Sequence, residues 1–380
     1  MKKHDRNAEN ISNNSELNHI PTIEILDLEH DDISTDPTSE EAFEDGTSAQ
    51  SGKTPQKLPR FLNLHTLVLL VVVVFVVCIF MKFRNWGVFI DQNDIISDED
   101  VEYYDVLDQI MPLMTDLGEP VQTGPAETIL LFGNSPFADD RDSKDNLANI
   151  IAEKTGATVY NCAIGDSYLA AQHYAFDANT DPMDAYTFYW LVTYALSGVN
   201  EGYYTSAALA LGEDTPYDAQ EVLATLKSID MADIDVVAIM YDATDYLMGH
   251  QMYSDENFTD IEQFTGNLEA GIEAIQYYCP NTRIIILSPT YAYAVTEDGE
   301  YVSSSIYTYG QAGLPTYSVM QLRTASVRCV SYIDNLYGTI TEDNADQYLI
   351  DNLHLNVAGR NLVADRFVEA LNMYNRVWEE

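Results

Sequence analysis

The sequence predicts a doubly wound, three-layer α/β/α domain over residues 127–380, with a parallel sheet between two layers of helices. Short apolar runs alternate there with longer segments in which apolar residues recur at helical spacing. Strands that are apolar throughout, rather than at alternate residues, are typical of a parallel sheet covered on both faces. A chain of 380 residues has room for such a domain and for additional segments.

Two segments of different character precede this domain. Residues 1–60 are polar and acidic without sustained periodicity, so we expect a disordered cytoplasmic tail. Residues 61–82 are almost wholly apolar and long enough to cross a bilayer as one transmembrane helix. The run starts too late, and lacks the small residues of a cleavage site, for a secretory signal peptide. We therefore expect a membrane anchor.

Basic residues on the two sides of this run are nearly balanced, with Lys53, Lys57 and Arg60 before it and Lys82 and Arg84 after it. We expect the tail inside the cell and the C-terminal domain outside, because long domains cross the membrane largely regardless of charge. Residues 83–126 are predicted to form a stalk, with a helix at Glu99–Leu117.

The alternation of strands and helices begins after the stalk. Predicted strands are Thr128–Phe132, Thr158–Cys162, Asp235–Tyr241, Arg283–Leu287 and Tyr348–Ile350. Predicted helices are Lys144–Thr155, Ile261–Tyr278, Tyr317–Tyr337 and Asn356–Trp378. Two aromatic-rich insertions, at residues 166–230 and 290–316, interrupt the pattern. Their rings either stack on a ligand or pack the insertions onto the domain.

Charge and cysteine content exclude several functions. Asp and Glu outnumber Lys and Arg by 61 to 18, which gives a net charge of −43 at pH 7. Such a chain repels nucleic acid, so nucleic-acid binding is excluded. A neutral or cationic substrate suits it better, or an anionic one whose charge is screened by salt or divalent ions. The four cysteines have no metal-binding spacing, while a bridge between Cys279 and Cys329 stays open. The acidic segment Asp139–Asp145 lacks the Gly and Glu of a calcium-binding loop, so no metal or cofactor is expected.

A serine follows the first predicted strand. Ile129–Phe132 runs into Gly133-Asn134-Ser135-Pro136, a turn that neither a strand nor a helix continues. Open α/β sheets bind their ligands at the carboxyl ends of strands, which is where this turn places Ser135. The alternative is an ordinary strand–helix turn in which the serine only caps the backbone.

A serine acts as a nucleophile when a base takes its proton and a third group holds that base. In residues 127–380 the histidines are His173, His250 and His354. Asp351 precedes His354 by three residues on one short segment, a spacing that lets the carboxylate meet the imidazole Nδ1–H. The other two histidines have no carboxylate at this spacing, and we expect both to be structural. The alternative for Asp351 is a helix N-cap.

With these segments in place, the sequence resembles the SGNH, or GDSL-like, hydrolases over roughly residues 127–375. The four sequence blocks of that family occur in its order: Gly133-Asn134-Ser135, Asn161–Ser167, Val236–Asp245 and Asp351–His354. The last block matches in full. The resemblance implies the flavodoxin-like fold of these hydrolases.

The resemblance also implies roles for individual residues. Ser135 would be the nucleophile, His354 the general base and acid, and Asp351 the residue that orients His354. Oxyanion donors would be the Ser135 N–H, the Gly165 N–H and the side chain at Thr244, with Ala163 as an alternative to Gly165. The chain departs from the family in having Asn134 where Asp is usual, Asp242 where Gly is usual, and Thr244 where Asn is usual.

Together these features predict a membrane-anchored, extracytoplasmic serine esterase or O-acyltransferase. Its expected substrates are acyl esters of glycans or cell-wall polymers, or small esters. The alternative is a non-catalytic module of the same fold that binds glycans or assists a membrane acyltransferase partner.

Overall fold

The computed structural model describes residues 106–114, 120–121 and 124–377. The predicted tail at residues 1–60 and the predicted anchor at residues 61–82 lie outside the described residues. Within those residues, no helix combines the length and the apolar character needed to cross a bilayer.

A five-stranded parallel sheet forms the centre of the described domain, with the strand order β2-β1-β3-β4-β7. Its strands are Thr128–Gly133 (β1), Thr158–Asn161 (β2), Val236–Met240 (β3), Arg283–Leu287 (β4) and Ser331–Ile333 (β7). β1, β3, β4 and β7 are buried almost throughout, as strands covered on both faces must be. The predicted parallel-sheet α/β fold is therefore confirmed.

The longer helices are Leu147–Thr155 (α2), Phe188–Ser197 (α3), Glu201–Leu211 (α4), Ala219–Ser228 (α5), Phe264–Tyr278 (α7), Leu314–Arg328 (α8) and Val357–Val377 (α11). Single turns of helix are Ser135–Ala138 (α1), Thr244–Leu247 (α6), Asn335–Gly338 (α9) and Ala345–Tyr348 (α10), and a small hairpin joins Ala294–Val295 (β5) to Tyr301–Val302 (β6).

The strand order puts helices on both faces of the sheet. The chain moves one way from β1 to β2 through α2, and the other way from β3 to β4 through α7. Because such crossovers are right-handed, helices on oppositely directed crossovers cover opposite faces. α2 packs with α11, whereas α7 packs with α3 and α8, which completes the three predicted layers.

Two predicted elements near the C-terminus are wrong. The helix predicted at Tyr317–Tyr337 ends at Arg328, where Cys329 adopts a left-handed conformation with φ 53°, and the chain then enters β7. The strand predicted at Tyr348–Ile350 does not join the sheet and makes only an isolated bridge between Leu349 and Leu355. This bridge closes the short loop that carries Asp351 and His354.

Residues 106–114, from the predicted stalk, lie along the outer edge of β7. Gln109 pairs with Tyr332 in an antiparallel bridge, and the Leu107 N–H donates to Asp334 Oδ2 at 3.2 Å. Asp108 also forms an ion pair with Arg366 of α11 at 2.5 Å. The helix predicted at Glu99–Leu117 is therefore wrong for its described part, because an unpaired strand edge gives this backbone hydrogen-bond partners.

Candidate active site

Ser135 lies at the carboxyl end of β1, at the point where the strand order reverses between β1 and β3. β1 can approach β3 closely here because Gly133 has no side chain, and a Cβ at this position would lie 2.0 Å from the carbonyl oxygen of Met240. Ser135 is 4% exposed, and neither its N–H nor its Oγ bonds to another described residue. Both groups therefore remain available to a ligand.

His354 and Asp351 contact one another in the loop before α11. His354 Nδ1 lies 2.7 Å from Asp351 Oδ2, while Asp351 Oδ1 accepts the backbone N–H groups of Leu353 and His354 at 2.8 Å each. These bonds fix the carboxylate and leave the Nε2 atom of His354 without a partner among the described residues. An imidazole held at Nδ1 by a carboxylate is suited to exchange protons at Nε2.

The charges around the imidazole favour its protonated form. Partial burial lowers the pKa of His354, but the hydrogen bond and charge of Asp351 outweigh it, and Asp139 and Asp242 add to the net rise. Partial burial raises the pKa of Asp351, but its hydrogen bonds and the charge of His354 outweigh this effect, so the pKa is lowered overall. Asp139 donates its N–H to the Ser135 carbonyl oxygen at 2.9 Å, so the imidazole lies near the turn that carries Ser135. Ser135, His354 and Asp351 thus lie at one edge of the sheet, but no hydrogen bond joins Ser135 to His354 among the described residues, and their catalytic roles stay predictions.

Asn134, Asp242 and Thr244 form a buried network beside Ser135. Asn134 Nδ2 donates to Asp242 Oδ1 at 2.7 Å, and the Asp242 N–H donates to Asn134 Oδ1 at 2.9 Å. The Thr244 hydroxyl also donates to Asp242 Oδ1, at 2.6 Å, as does the Thr244 N–H at 2.9 Å. The Thr244 hydroxyl is therefore engaged by a carboxyl oxygen, and its predicted role as an oxyanion donor stays a prediction.

Gly165, the other predicted oxyanion donor, is engaged in the same way. Its N–H donates to Asp218 Oδ2 at 3.1 Å. Asp218 comes from the first insertion and forms a buried ion pair with Arg141 at 3.2 Å. Arg141 also donates to the carbonyl oxygens of Asn161 and Ala163, so it clamps the loop after β2. The role of Gly165 stays a prediction as well.

In the sequence, Asp242 stands out only as a departure from a motif, and nothing singles out Asp218. The signal for Asp242 was present, since an acidic residue directly after a buried strand stands where the related motif has glycine. Asp218 gave no local signal, because its partners Arg141 and Gly165 are 77 and 53 residues away.

The other two histidines also have carboxylate partners. His250 Nδ1 lies 2.8 Å from Asp245 Oδ1, and its Nε2 contacts the Gln172 side chain at 2.7 Å. Asp245 also accepts the N–H groups of Leu169 and Ala170 at 2.9 Å each, so this buried group ties the first insertion to the sheet. His173 pairs with Asp181 near the surface. Neither histidine has an Asp three residues before it, so the pattern that indicates the Asp351–His354 contact does not indicate these two.

The second insertion borders the catalytic loop. The Tyr293 N–H donates to the Asn352 carbonyl oxygen at 2.8 Å, and the Tyr293 ring stacks on Tyr301 with centroids 5.7 Å apart. Other rings of this insertion pack inward, as Tyr307 and Tyr309 do. Tyr293 packs against the core as well, so packing accounts for these three rings, and stacking on a ligand stays a prediction.

No cluster of potential metal ligands occurs among the described residues. The side chain of Asn146 caps α2 by accepting the N–H groups of Ala148 and Asn149, and Asp140 pairs with Arg360 at 2.7 Å. Cys162, Cys279 and Cys329 are free, so the bridge left open by the sequence is not formed.

No family model matches the chain, and no curated protein matches its sequence. Solved structures do match. A protein from Lactobacillus plantarum is 14% identical with a TM-score of 0.46, and the match covers 66% of this chain and 99% of that one. A protein from Parabacteroides merdae described as a GDSL-like lipase is 14% identical, with a TM-score of 0.39 and coverages of 67% and 100%. A carbohydrate acetylesterase from Sinorhizobium meliloti is 13% identical, with a TM-score of 0.36 and coverages of 64% and 99%. Several solved structures similar to this chain are thus GDSL-like lipases or esterases, at low sequence identity.

Proposed function

We propose that this protein is a serine esterase or O-acyltransferase in which Ser135 is the nucleophile. The observation that carries the proposal is the 2.7 Å contact between Asp351 and His354, at the same sheet edge as a serine whose hydroxyl has no partner among the described residues. A carboxylate, an imidazole and a free hydroxyl are the three groups that acyl transfer through serine requires.

The chemistry follows from these positions. His354 Nε2 takes the Ser135 proton as Oγ attacks the ester carbonyl carbon, whose π electrons move to the carbonyl oxygen. As the tetrahedral intermediate collapses, the proton passes from His354 to the departing alcohol, and an acyl-serine remains. Water activated by His354 then releases the acid. If a sugar hydroxyl attacks in place of water, the acyl group is transferred.

A fluorophosphonate probe tests the nucleophile directly. We expect the probe to label the purified chain and a Ser143→Ala control, in which the serine of the next loop is replaced. Ser135→Ala should abolish labelling and hydrolysis of p-nitrophenyl acetate. Labelling that persists in Ser135→Ala would overturn the assignment.

We further propose that the domain is anchored by residues 61–82 and acts outside the cell on acyl esters of glycans or cell-wall polymers. The net charge of −43 supports a neutral substrate over an anionic one. Protease treatment of intact cells should remove the C-terminal domain. Cleavage restricted to residues 1–60 would contradict this orientation.

A second candidate function is a non-catalytic glycan-binding module or an accessory to a membrane acyltransferase. It is favoured by the engagement of both the Gly165 N–H and the Thr244 hydroxyl with carboxyl oxygens. Glycan binding that Ser135→Ala leaves unchanged, without turnover of any ester, would support this alternative.

A further inference from the structure

The two oxygens of the Asp242 carboxyl group have very different surroundings. Oδ1 accepts three hydrogen bonds, from Asn134 Nδ2, the Thr244 N–H and the Thr244 hydroxyl. Oδ2 is buried and has no hydrogen-bond partner among the described residues. Buried polar atoms normally have partners, so an oxygen left bare beside a candidate nucleophile requires a reason.

The charged groups that face Asp242 do not replace the missing partner. His354 faces it from the loop before α11, and Asp139 faces it from the end of α1. No Lys or Arg in the described part of the chain forms an ion pair with it. A buried carboxylate with a bare oxygen is costly, whereas a protonated carboxyl avoids most of that cost. In agreement, burial raises the pKa of Asp242 although Thr244, Asn134 and His354 act to lower it.

The same network joins this carboxyl group to the residue that precedes Ser135. Asn134 immediately precedes Ser135 and binds Asp242 through both its amide nitrogen and its amide oxygen. An ester carbonyl attacked by Ser135 develops a negative oxygen that needs donors. Within the described part of the chain the Ser135 N–H has no partner, but the Gly165 N–H and the Thr244 hydroxyl are engaged. The carboxyl group of Asp242, which is bonded to the residue before Ser135, thus still has one oxygen that is not engaged among the described residues.

We propose that Asp242 is a catalytic residue that, in its protonated form, donates a hydrogen bond from Oδ2 to the oxyanion formed on the Ser135-bound substrate. The proton stays on Oδ2 throughout, so the balance of the acyl-transfer steps does not change. A carboxyl group kept neutral by a buried site can serve as such a donor. This inference rests on the proposed esterase or acyltransferase function and adds an oxyanion donor to it.

Two substitutions, Asp242→Asn and Asp242→Ala, distinguish a protonated hydrogen-bond donor at this position from an ionised carboxylate. Three donors converge on Oδ1, so an amide must place its carbonyl oxygen there and its NH₂ group at the position of Oδ2. We expect Asp242→Asn to retain kcat within about tenfold and Asp242→Ala to lose about 10²- to 10³-fold. The matched control is Asp255→Asn, an exposed acidic residue outside the four sequence blocks. It should leave kcat unchanged.

The pH dependence provides a second readout. Wild-type kcat should fall as pH rises through the pKa of Asp242, because the ionised carboxylate no longer donates and repels the oxyanion. This fall should disappear in Asp242→Asn. If Asp242→Asn instead loses as much activity as Asp242→Ala while both remain folded by circular dichroism, Asp242 acts as an anion and the proposal is overturned.

Infrared difference spectra of wild type minus Asp242→Asn give a readout that needs no activity. At neutral pH they should contain the carbonyl band of a protonated carboxyl group, and a carboxylate band in its place would overturn the proposal. Fluorophosphonate labelling distinguishes a failure of the proposed function from a failure of the donor role of Asp242. Without labelling of wild-type Ser135 the proposed function fails, whereas labelling together with an ionised Asp242 refutes only the donor role.

Discussion

Asn134 and Asp242 bond to one another in both directions, with Asn134 Nδ2 donating to Asp242 Oδ1 at 2.7 Å and the Asp242 N–H donating to Asn134 Oδ1 at 2.9 Å. Both residues are buried, and they follow neighbouring strands of the sheet. The amide of Asn134 is suited to this position because it supplies a donor and an acceptor at once. This pair joins the turn that carries Ser135 to the end of β3.

Asn134→Asp should therefore make stability strongly dependent on pH. The new carboxyl group would face Asp242, and two carboxyl groups so close cannot both ionise without strong repulsion. Their folded-state pKa values are then raised, so stability is present at low pH and is lost as pH rises through those values. Thermal unfolding at several pH values measures this. A variant whose melting temperature follows that of the wild type across the pH range would contradict the prediction.

Asp351→Asn should change both the rate and the pH profile. In the wild type Asp351 raises the pKa of His354, so activity that needs neutral imidazole rises with pH through that elevated value. Without the carboxylate, the acidic limb of kcat/KM should move to lower pH. The rate should fall by about 10²- to 10⁴-fold, because the imidazolium loses its partner. An acidic limb that does not move would show that Asp351 does not act on His354.

The same pair predicts a pH window for stability. The raised pKa of His354 contributes stability that is complete below its unfolded value of about 6.5 and is lost as pH rises through the folded value. The lowered pKa of Asp351 contributes stability that is complete above its unfolded value of about 3.9 and is lost as pH falls through the folded value. The pair should therefore stabilise the fold most between these two unfolded values. Unfolding of wild type and Asp351→Asn in urea across this range measures the difference, which should be largest inside the window.

Gly133→Ala should separate β1 from β3. The added Cβ would lie 2.0 Å from the Met240 carbonyl oxygen, which is backbone and cannot turn aside. Forcing atoms into such a packed site costs about 1–3 kcal/mol or more, and the shift should misplace Ser135. Gly202→Ala is the matched control, because a Cβ at this helical position meets nothing within 4 Å and should be neutral or stabilise by up to about 1 kcal/mol. Equal unfolding free energies for the two variants would refute the close approach.

Arg141→Ala should destabilise the domain more than the loss of a surface ion pair does. It would leave the buried carboxylate of Asp218 without its cation, which costs about 3–5 kcal/mol. Lys154→Ala removes the partly exposed pair with Asp365 and should cost about 0–1 kcal/mol. Chemical denaturation of both variants measures the contrast. Similar losses of unfolding free energy in the two variants would show that the Arg141–Asp218 pair stabilises the domain no more than a surface ion pair does.

The first four strands could be predicted because each is an apolar run that a turn residue or a change of periodicity ends. β7 could not, since its three residues directly follow a long helix with no Gly or Pro between them. The helix ends instead because Cys329 adopts a left-handed conformation, which L-residues other than Gly, Asn and Asp rarely adopt. Tyr348–Ile350 has the composition of a strand, but in the fold its Leu349 bridges Leu355 and so closes the loop of Asp351 and His354.

The site was predictable where its parts are local in sequence. Asp351 and His354 are three residues apart, and Ser135 closely follows a strand, so both signals lie within short segments. The contacts of Asp242 with Asn134 and of Asp218 with Arg141 span 108 and 77 residues. Their geometry depends on strand order and on how the first insertion folds back, neither of which periodicity reports.

The carboxylates around His354 also bear on how the reaction cycle ends. The carboxylates of Asp351 and Asp139 both act on the imidazole, in a chain of net charge −43. Ester cleavage yields a carboxylic acid that ionises at neutral pH, so the released anion is repelled by the surface it leaves. If the proposed esterase function holds, the departing acid should therefore inhibit weakly and re-enter slowly.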